Sequence, residues 1–288
     1  MEKDPVTGEE LKWSFKREYG CGIVSASEHL LTFRSASAGF INLESMEGTA
    51  NLGGWKPGCS TTLIAADGVL NSPDYTRTCQ CPYQNQTSLA LIHMPWMAYW
   101  TNSNYTWNGS PVQKLGLNFN APGDRVSSDN VLWLEYPFTA GTPPGIPVKM
   151  DTAGFRKFRK EPFMISSEET PWVSASALEG IRSLEVTLTK EVTVPEAFFT
   201  IRLYFAEPEN KKPGERVFDI FLQDRKVSAG FDIAGEAGQS GREVIKTYHG
   251  IPAGKTLKLD LQPLKGNTLI CGIEILRETP LSTIETDK

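Results

Sequence analysis

Cys21, Cys59, Cys79 and Cys81 fall in one stretch of a 288-residue chain, and sulfur so concentrated can do one of two things. In an oxidising compartment four cysteines close two disulfides, by any of three pairings. As thiolates, Cys59, Cys79 and Cys81 could instead share a metal, because side chains two apart on a strand point to one face. Structural zinc favours two residues between paired cysteines and four ligands in all. Cys79-Gln80-Cys81 has one intervening residue. Two disulfides are therefore the expectation, with no metal. The fifth thiol, Cys271, sits in the apolar run Leu269-Ile270-Cys271-Gly272-Ile273 and reads as a small buried hydrophobe.

Acid–base chemistry finds little footing. His29, His93 and His249 are the three histidines, and none stands in a catalytic motif. Glu168 and Glu169 are neighbours, and neighbours on an extended chain point apart. No glycine-rich phosphate loop opens a helix. Neither a catalytic residue nor a cofactor is expected. The formal net charge of −5 lacks the basic footprint that nucleic acid demands. The densest basic run, Phe155-Arg156-Lys157-Phe158-Arg159-Lys160, reads as a solvated loop or strand edge. The longest apolar-leaning stretch, 88–100, is too short to span a membrane and is broken by His93 and Pro95. Met1-Glu2-Lys3-Asp4-Pro5 is polar, with no apolar signal-peptide core after it. Together with the clustered cysteines, this suggests a piece of a longer periplasmic or extracellular protein.

The elements that must carry these residues are strands. Turn residues recur every 8 to 12 positions, and the runs between them are β-branched or aromatic and often alternate. Residues 1–95 form one compositional unit, with short strands expected at 30–34, 39–43 and 62–66. Residues 96–114 place Trp96, Tyr99, Trp100, Tyr105 and Trp107 among small polar residues without a period, and read as a linker pinned by aromatics. From Leu115 the alternation is clean. Leu184, Val186, Phe199, Ile201, Leu203, Phe218, Ile220, Leu259, Cys271 and Ile273 fall on inward faces. Half-buried strands with polar outer faces are what a two-sheet antiparallel sandwich requires. It is expected over 115–278, followed by a polar tail at 279–288.

Five segments carry a resemblance: Leu115-Gly116-Leu117-Asn118-Phe119-Asn120-Ala121-Pro122-Gly123-Asp124-Arg125, Trp172-Val173-Ser174-Ala175-Ser176, Ile201-Arg202-Leu203-Tyr204-Phe205-Ala206-Glu207, Arg216-Val217-Phe218-Asp219-Ile220 and Ile270-Cys271-Gly272-Ile273-Glu274-Ile275. In this order the second half resembles the malectin family of jelly-roll-type β-sandwich lectins. The resemblance implies carbohydrate binding by loop residues at one end of the sandwich. Where animal malectins carry an aromatic pair after the Phe-Ala-Glu strand, this chain has Glu209 and Asn210. The family's acid before the last strand falls near Asn267, and Trp172 matches a family aromatic. The implied sugar site is thus Trp172, Glu207, Glu209, Asn210 and Asn267, with Trp172 as the stacking platform.

Asp4-Pro5-Val6-Thr7-Gly8 with the strand up to Trp13, Gly20-Cys21-Gly22, Asn51-Leu52-Gly53-Gly54 and Asp67-Gly68-Val69-Leu70 are similar to the C-terminal end of bacterial proteins with pyrroloquinoline-quinone-type β-propeller repeats. Blades run to about 40–50 residues, and a propeller needs at least four. Residues 1–95 hold about two, so missing blades or another chain would be their partner. The expected function is a non-catalytic carbohydrate-binding module of a secreted or periplasmic propeller protein. Its rivals are a structural domain that caps or positions a propeller, and a fragment of a quinone-type redox protein.

Overall fold

The computed structural model describes residues 2–59, 63–73, 81–83, 85, 87–94, 96–139 and 142–278. The chain divides into two compact units. One comprises 1–11, 105–122 and 127–288, the other 12–104 and 123–126. The break therefore falls inside the stretch 96–114, and the first eleven residues join the unit of the second half.

The larger unit is a β-sandwich. One sheet runs in the order Leu132–Tyr136, Lys114–Phe119, Gly272–Arg277, Ala197–Ala206, Glu243–Ala253. Its pairings are antiparallel except for Lys114–Phe119 with Leu132–Tyr136, which is parallel. The facing sheet runs Val148–Arg159, Ser176–Thr187, Thr256–Lys265, Val217–Leu222, Arg225–Asp232, with Leu269–Ile270 also paired to Ser176–Thr187. All ten side chains placed inward by alternation are buried. A slip of one residue would have turned each set outward, so burial on one face pins the register.

Trp133 is fully buried and meets Trp172 and Tyr204 edge-on, at 5.6 and 5.1 Å between ring centres. Two glycines make room for it. A Cβ on Gly116 would lie 2.2 Å from the Trp133 ring, and one on Gly272 would lie 2.6 Å from Val173 and 3.0 Å from Trp133. The turn expected at Asp4–Gly8 is present: Asp4 Oδ1 accepts from the N–H groups of Val6 and Thr7, at 2.9 and 2.8 Å. It docks through the Val6 carbonyl, which accepts from Gln113 N at 2.7 Å. Trp107, buried, belongs to this unit too.

The smaller unit holds two antiparallel meanders. The first runs in the order Thr101–Asn102, Thr49–Asn51, Ser37–Asn42, Leu30–Ser35, Ser25–Ala26; the second is Ile64–Ala66, Val69–Ser72, Leu89–Ile92. Thr32 Oγ1 donates to the Leu63 carbonyl at 2.8 Å, tying one to the other. Tyr99 packs on Phe40, and its hydroxyl donates to Glu47. The aromatics of 96–104 include this anchor, while Trp96 is exposed.

The two disulfides expected among Cys21, Cys59, Cys79 and Cys81 involve Cys79, which lies outside the described residues. Arg34 Nη1 donates to Cys59 Sγ at 3.2 Å. Cys271 is buried in the sandwich core, as its apolar run predicts, and burial pushes its thiol well up.

Candidate functional site

Four of the five residues in the implied sugar site gather at one end of the sandwich, around an arginine the motif reading gave no role. Arg216, fully buried, precedes the strand Val217–Leu222. Its Nε donates to Glu207 at 2.8 Å and its Nη1 to Glu179 at 3.1 Å and to the Asn267 carbonyl at 2.9 Å. Its Nη2 reaches Glu209 at 3.4 Å. Glu207 is fully buried, and its carboxylate also accepts from Glu209 N at 3.2 Å. Such a cluster is tolerable away from water because each charge has an opposite charge within hydrogen-bonding reach.

The network extends outward to solvent. Exposed Arg156 donates to Glu209 at 2.8 Å and lies 3.2 Å from Glu179. Burial raises the Glu209 carboxyl, but the hydrogen bond from Arg156 and the charge of Lys211 outweigh it and hold the group below its ordinary value. Asn210 is exposed in a left-handed turn at φ 52°, a conformation asparagine tolerates. The Asn267 side chain is exposed as well.

Trp172 does not join them. It sits in the short helix Pro171–Ser174 at 8 % exposure, edge-on to Trp133, and belongs to the core. Its ring faces are therefore not offered to a ligand. The exposed apolar surface near this end comes from other residues. Phe155 lies on the strand Val148–Arg159, which ends the order of its sheet, and Phe163 and Met164 on the turn Pro162–Met164. The Phe155–Lys160 run is largely exposed, as expected of a strand edge. Arg156 lies 4.9 Å from the centre of the Phe158 ring. The 164–166 turn touches the 241–243 loop through Ser166 N to the Gly241 carbonyl at 2.9 Å, and that loop donates Gly241 N to the Glu207 carbonyl at 3.1 Å. A small depression beside the network is lined by Phe158, Lys160, Ile165, Ser174 and Pro208. No period in the sequence marks these residues, because they come from separate segments of the chain.

A second, larger cavity of about 300 Å³ lies elsewhere in this unit, lined by Leu117, Leu134, Tyr136, Phe138, Ile146 and Val148. It is apolar, and its acid, Glu135, is held by Thr139 Oγ1 at 2.9 Å. Among the described residues no group of three His, Cys, Asp or Glu side chains could hold a metal ion. His29 and His249 are exposed and paired with Glu44 and Thr200, at 3.2 and 3.0 Å.

The titrating groups of the sandwich divide by environment. Burial pushes Glu243 and Glu274 up, against the hydroxyl donors Ser167 and Ser174 for the first and Arg202 for the second. A raised carboxyl contributes stability that is complete below its unfolded value, about 4.3, and lost as pH rises through its folded value. Asp219, bonded by Lys226 and Gly230 N, is held down, as is Glu209. Their contribution is present above the unfolded value and lost as pH falls through the folded one. Melting temperature measured from pH 3 to 8 is expected to peak in the mildly acidic range. Glu243→Gln should flatten the decline above that peak. A wild-type curve that keeps rising to pH 8 would contradict the assignment.

The fold and this loop end define the class: an all-β sandwich with one polar end. Residues 183–281 match the Malectin domain family. No curated protein matches the chain. Among solved structures it is similar to a Bacteroides uniformis β-glucuronidase (14 % identity, 73 % of this chain and 22 % of that one, TM-score 0.44). A second similar structure is B. uniformis β-glucuronidase 2 covalently bound to cyclophellitol-6-carboxylate aziridine (13 %, 90 % and 29 %, TM-score 0.46). The ANXUR2 extracellular domain from Arabidopsis thaliana is also similar (17 %, 57 % and 48 %, TM-score 0.43). The chain spans less than half the length of each of these.

Proposed function

We propose that the sandwich unit is a non-catalytic carbohydrate-binding module of a secreted or periplasmic protein. The match of residues 183–281 to a binding domain supports the class. The observation that carries the site is the loop end itself. Buried Arg216 holds Glu209, Glu209 accepts from Arg156, and Phe155 and Phe163 are exposed. A carboxylate and a guanidinium accept from and donate to sugar hydroxyls, while an exposed ring covers the apolar face of a pyranose. Asn210 and the Asn267 side chain add amide groups at the rim.

Calorimetric titration with neutral glucose oligosaccharides tests this. Binding is expected to be weak, with Kd on the order of 1 mM, about −4 kcal/mol. Phe163→Ala and Glu209→Gln should each weaken it several-fold, whereas Trp172→Ala should act through stability. Tight binding unaffected by either loop variant would move the site elsewhere.

One observation favours a structural reading as runner-up: the Arg216 donors are consumed within the protein. In that reading the loop end closes the sandwich, and the module positions a propeller whose last blades are residues of the smaller unit. The four consecutive antiparallel strands of 25–51 match the strand number of a propeller blade, whereas 64–92 supplies three. No binding to any glycan on an array would favour it.

A further inference from the structure

Four of the chain's 29 lysines and arginines fall within 156–160, although its net charge is −5. They are Arg156, Lys157, Arg159 and Lys160, at the end of the strand Val148–Arg159, which has a neighbour on one side only. The pairs Arg156 with Glu179 and Phe158 with Ala177 hold it extended, and Lys160 N continues the ladder by donating to the Ala175 carbonyl at 2.7 Å. Side chains alternate on an extended chain, so Arg156, Phe158 and Lys160 share one face, with roughly 13 Å between the first and the last. The half-buried Phe158 ring thus stands between two cations, and the Arg156 guanidinium lies 4.9 Å from its centre. Phe158 and Lys160 line the small depression with Ile165 and Pro208.

The two cations differ in what they face. Arg156, Arg216 and Lys211 are matched by Glu179, Glu207 and Glu209 at ion-pair distance, so that network closes on itself. Glu207 also lines the depression, but it is fully buried and takes Arg216 Nε at 2.8 Å, which leaves no net negative charge to repel an anion there. Lys157, Arg159 and Lys160 stand outside the network, and among the described residues none of them enters an ion pair. Lys157 lies 5.8 Å from the centre of the Phe155 ring, and Arg159 donates to the neutral Asn120 carbonyl at 3.1 and 2.6 Å. Exposed Glu161 is the one acid of 155–161, and Glu169, in the next connection, acts on Glu243 and Arg202 instead. Positive charge is therefore left over along this edge. Lysines on a sheet edge also deter strand pairing, but that role has no use for a ring set between the charges over a depression.

We propose that the loop end selects acidic saccharides. A pyranose lies against Phe158, and its anionic substituent, carboxylate or sulfate, is taken by Lys160. Lys157 and Arg159 add to the attraction through the field of the edge. The inference rests on the carbohydrate-binding reading above and narrows it.

The full chain is to be titrated calorimetrically with cellotriose, with the same trimer oxidised to the uronate at each C6, and with the trimer sulfated at C6. In about 20 mM NaCl the better acidic trimer is expected to bind at least about three-fold tighter than cellotriose, the return from partly exposed charge pairs. Which acidic trimer is better identifies the substituent. In about 500 mM NaCl, where charges are screened beyond about 4 Å, the advantage should vanish. Lys160→Gln should bring the preference close to parity, and Lys160→Arg should keep it. If the glutamine variant does not fold, the salt dependence of the wild type decides. Equal affinity for the three trimers would overturn this inference and leave the carbohydrate-binding reading standing, whereas binding of none would overturn both. A glutamate hexapeptide that binds as tightly as the acidic trimers would also overturn it, since charge without a sugar ring would then suffice.

Discussion

Arg216→Leu is expected to lower the stability of the sandwich unit by about 3–5 kcal/mol, the cost of stranding buried charge by removing its partner. Glu207 is fully buried, and Glu179 is nearly so. Without the guanidinium, Glu207 keeps a single backbone donor, Glu209 N, and Glu179 keeps the exposed Arg156. Changing both members of the closest pair, as Arg216→Met with Glu207→Leu, should recover part of the loss, because an apolar pair leaves fewer unpaired charges. Urea unfolding of the two variants and the wild type measures this. A single-variant loss under about 1 kcal/mol would show that the network is not what holds the loop end in place.

Gly116→Ala should cost about 1–3 kcal/mol through overpacking, and at the upper end because the methyl meets a ring that has nowhere to go. Trp133 is walled by Trp172, Tyr204, Gly116 and Gly272, so it cannot move aside for a methyl carbon placed 2.2 Å from its ring. Trp133→Ala empties the same space and should cost about 3–5 kcal/mol. The two changes share one volume and should not add. In the double variant the methyl occupies room the ring has left, and the total loss should fall short of the sum. Strict additivity in denaturant midpoints would mean that Gly116 is needed for its backbone and not for the ring.

The strands of the sandwich were legible because their physics is local and periodic. Leu184, Val186, Ile201 and Leu203 announce a buried face by alternation alone. Residues 96–114 were legible as aromatic anchors, but the point where they pass from one unit to the other was not, since no period changes there. The loop end was legible only in part. Glu207, Glu209 and Asn267 stand in connections that a family resemblance can align, whereas Arg216 gathers them through space. Trp172 illustrates the converse. A tryptophan after a proline looks the same whether its ring faces water or Trp133, and the deciding neighbour is 39 positions away in the chain. The neighbour of Cys59 was no more legible: Arg34, which donates to its sulfur, is an ordinary letter in Leu30-Leu31-Thr32-Phe33-Arg34.

The place of the strand Gly272–Arg277 bears on how this protein can be made. It lies between Lys114–Phe119 and Ala197–Ala206, hydrogen-bonded to both. On a ribosome those two strands emerge long before it does. Until residue 272 is synthesised, the sheet consists of two separated halves, each with an open edge able to pair with another nascent chain. Closure must then span some 160 residues of chain, a long-range pairing of the kind that slows folding. Yield in a cell should therefore respond to conditions that guard nascent chains, such as low temperature or added holdase chaperones, more than to the strength of the finished core. A stop codon placed before residue 272 should direct the product to aggregates even though most of the inward-facing residues remain.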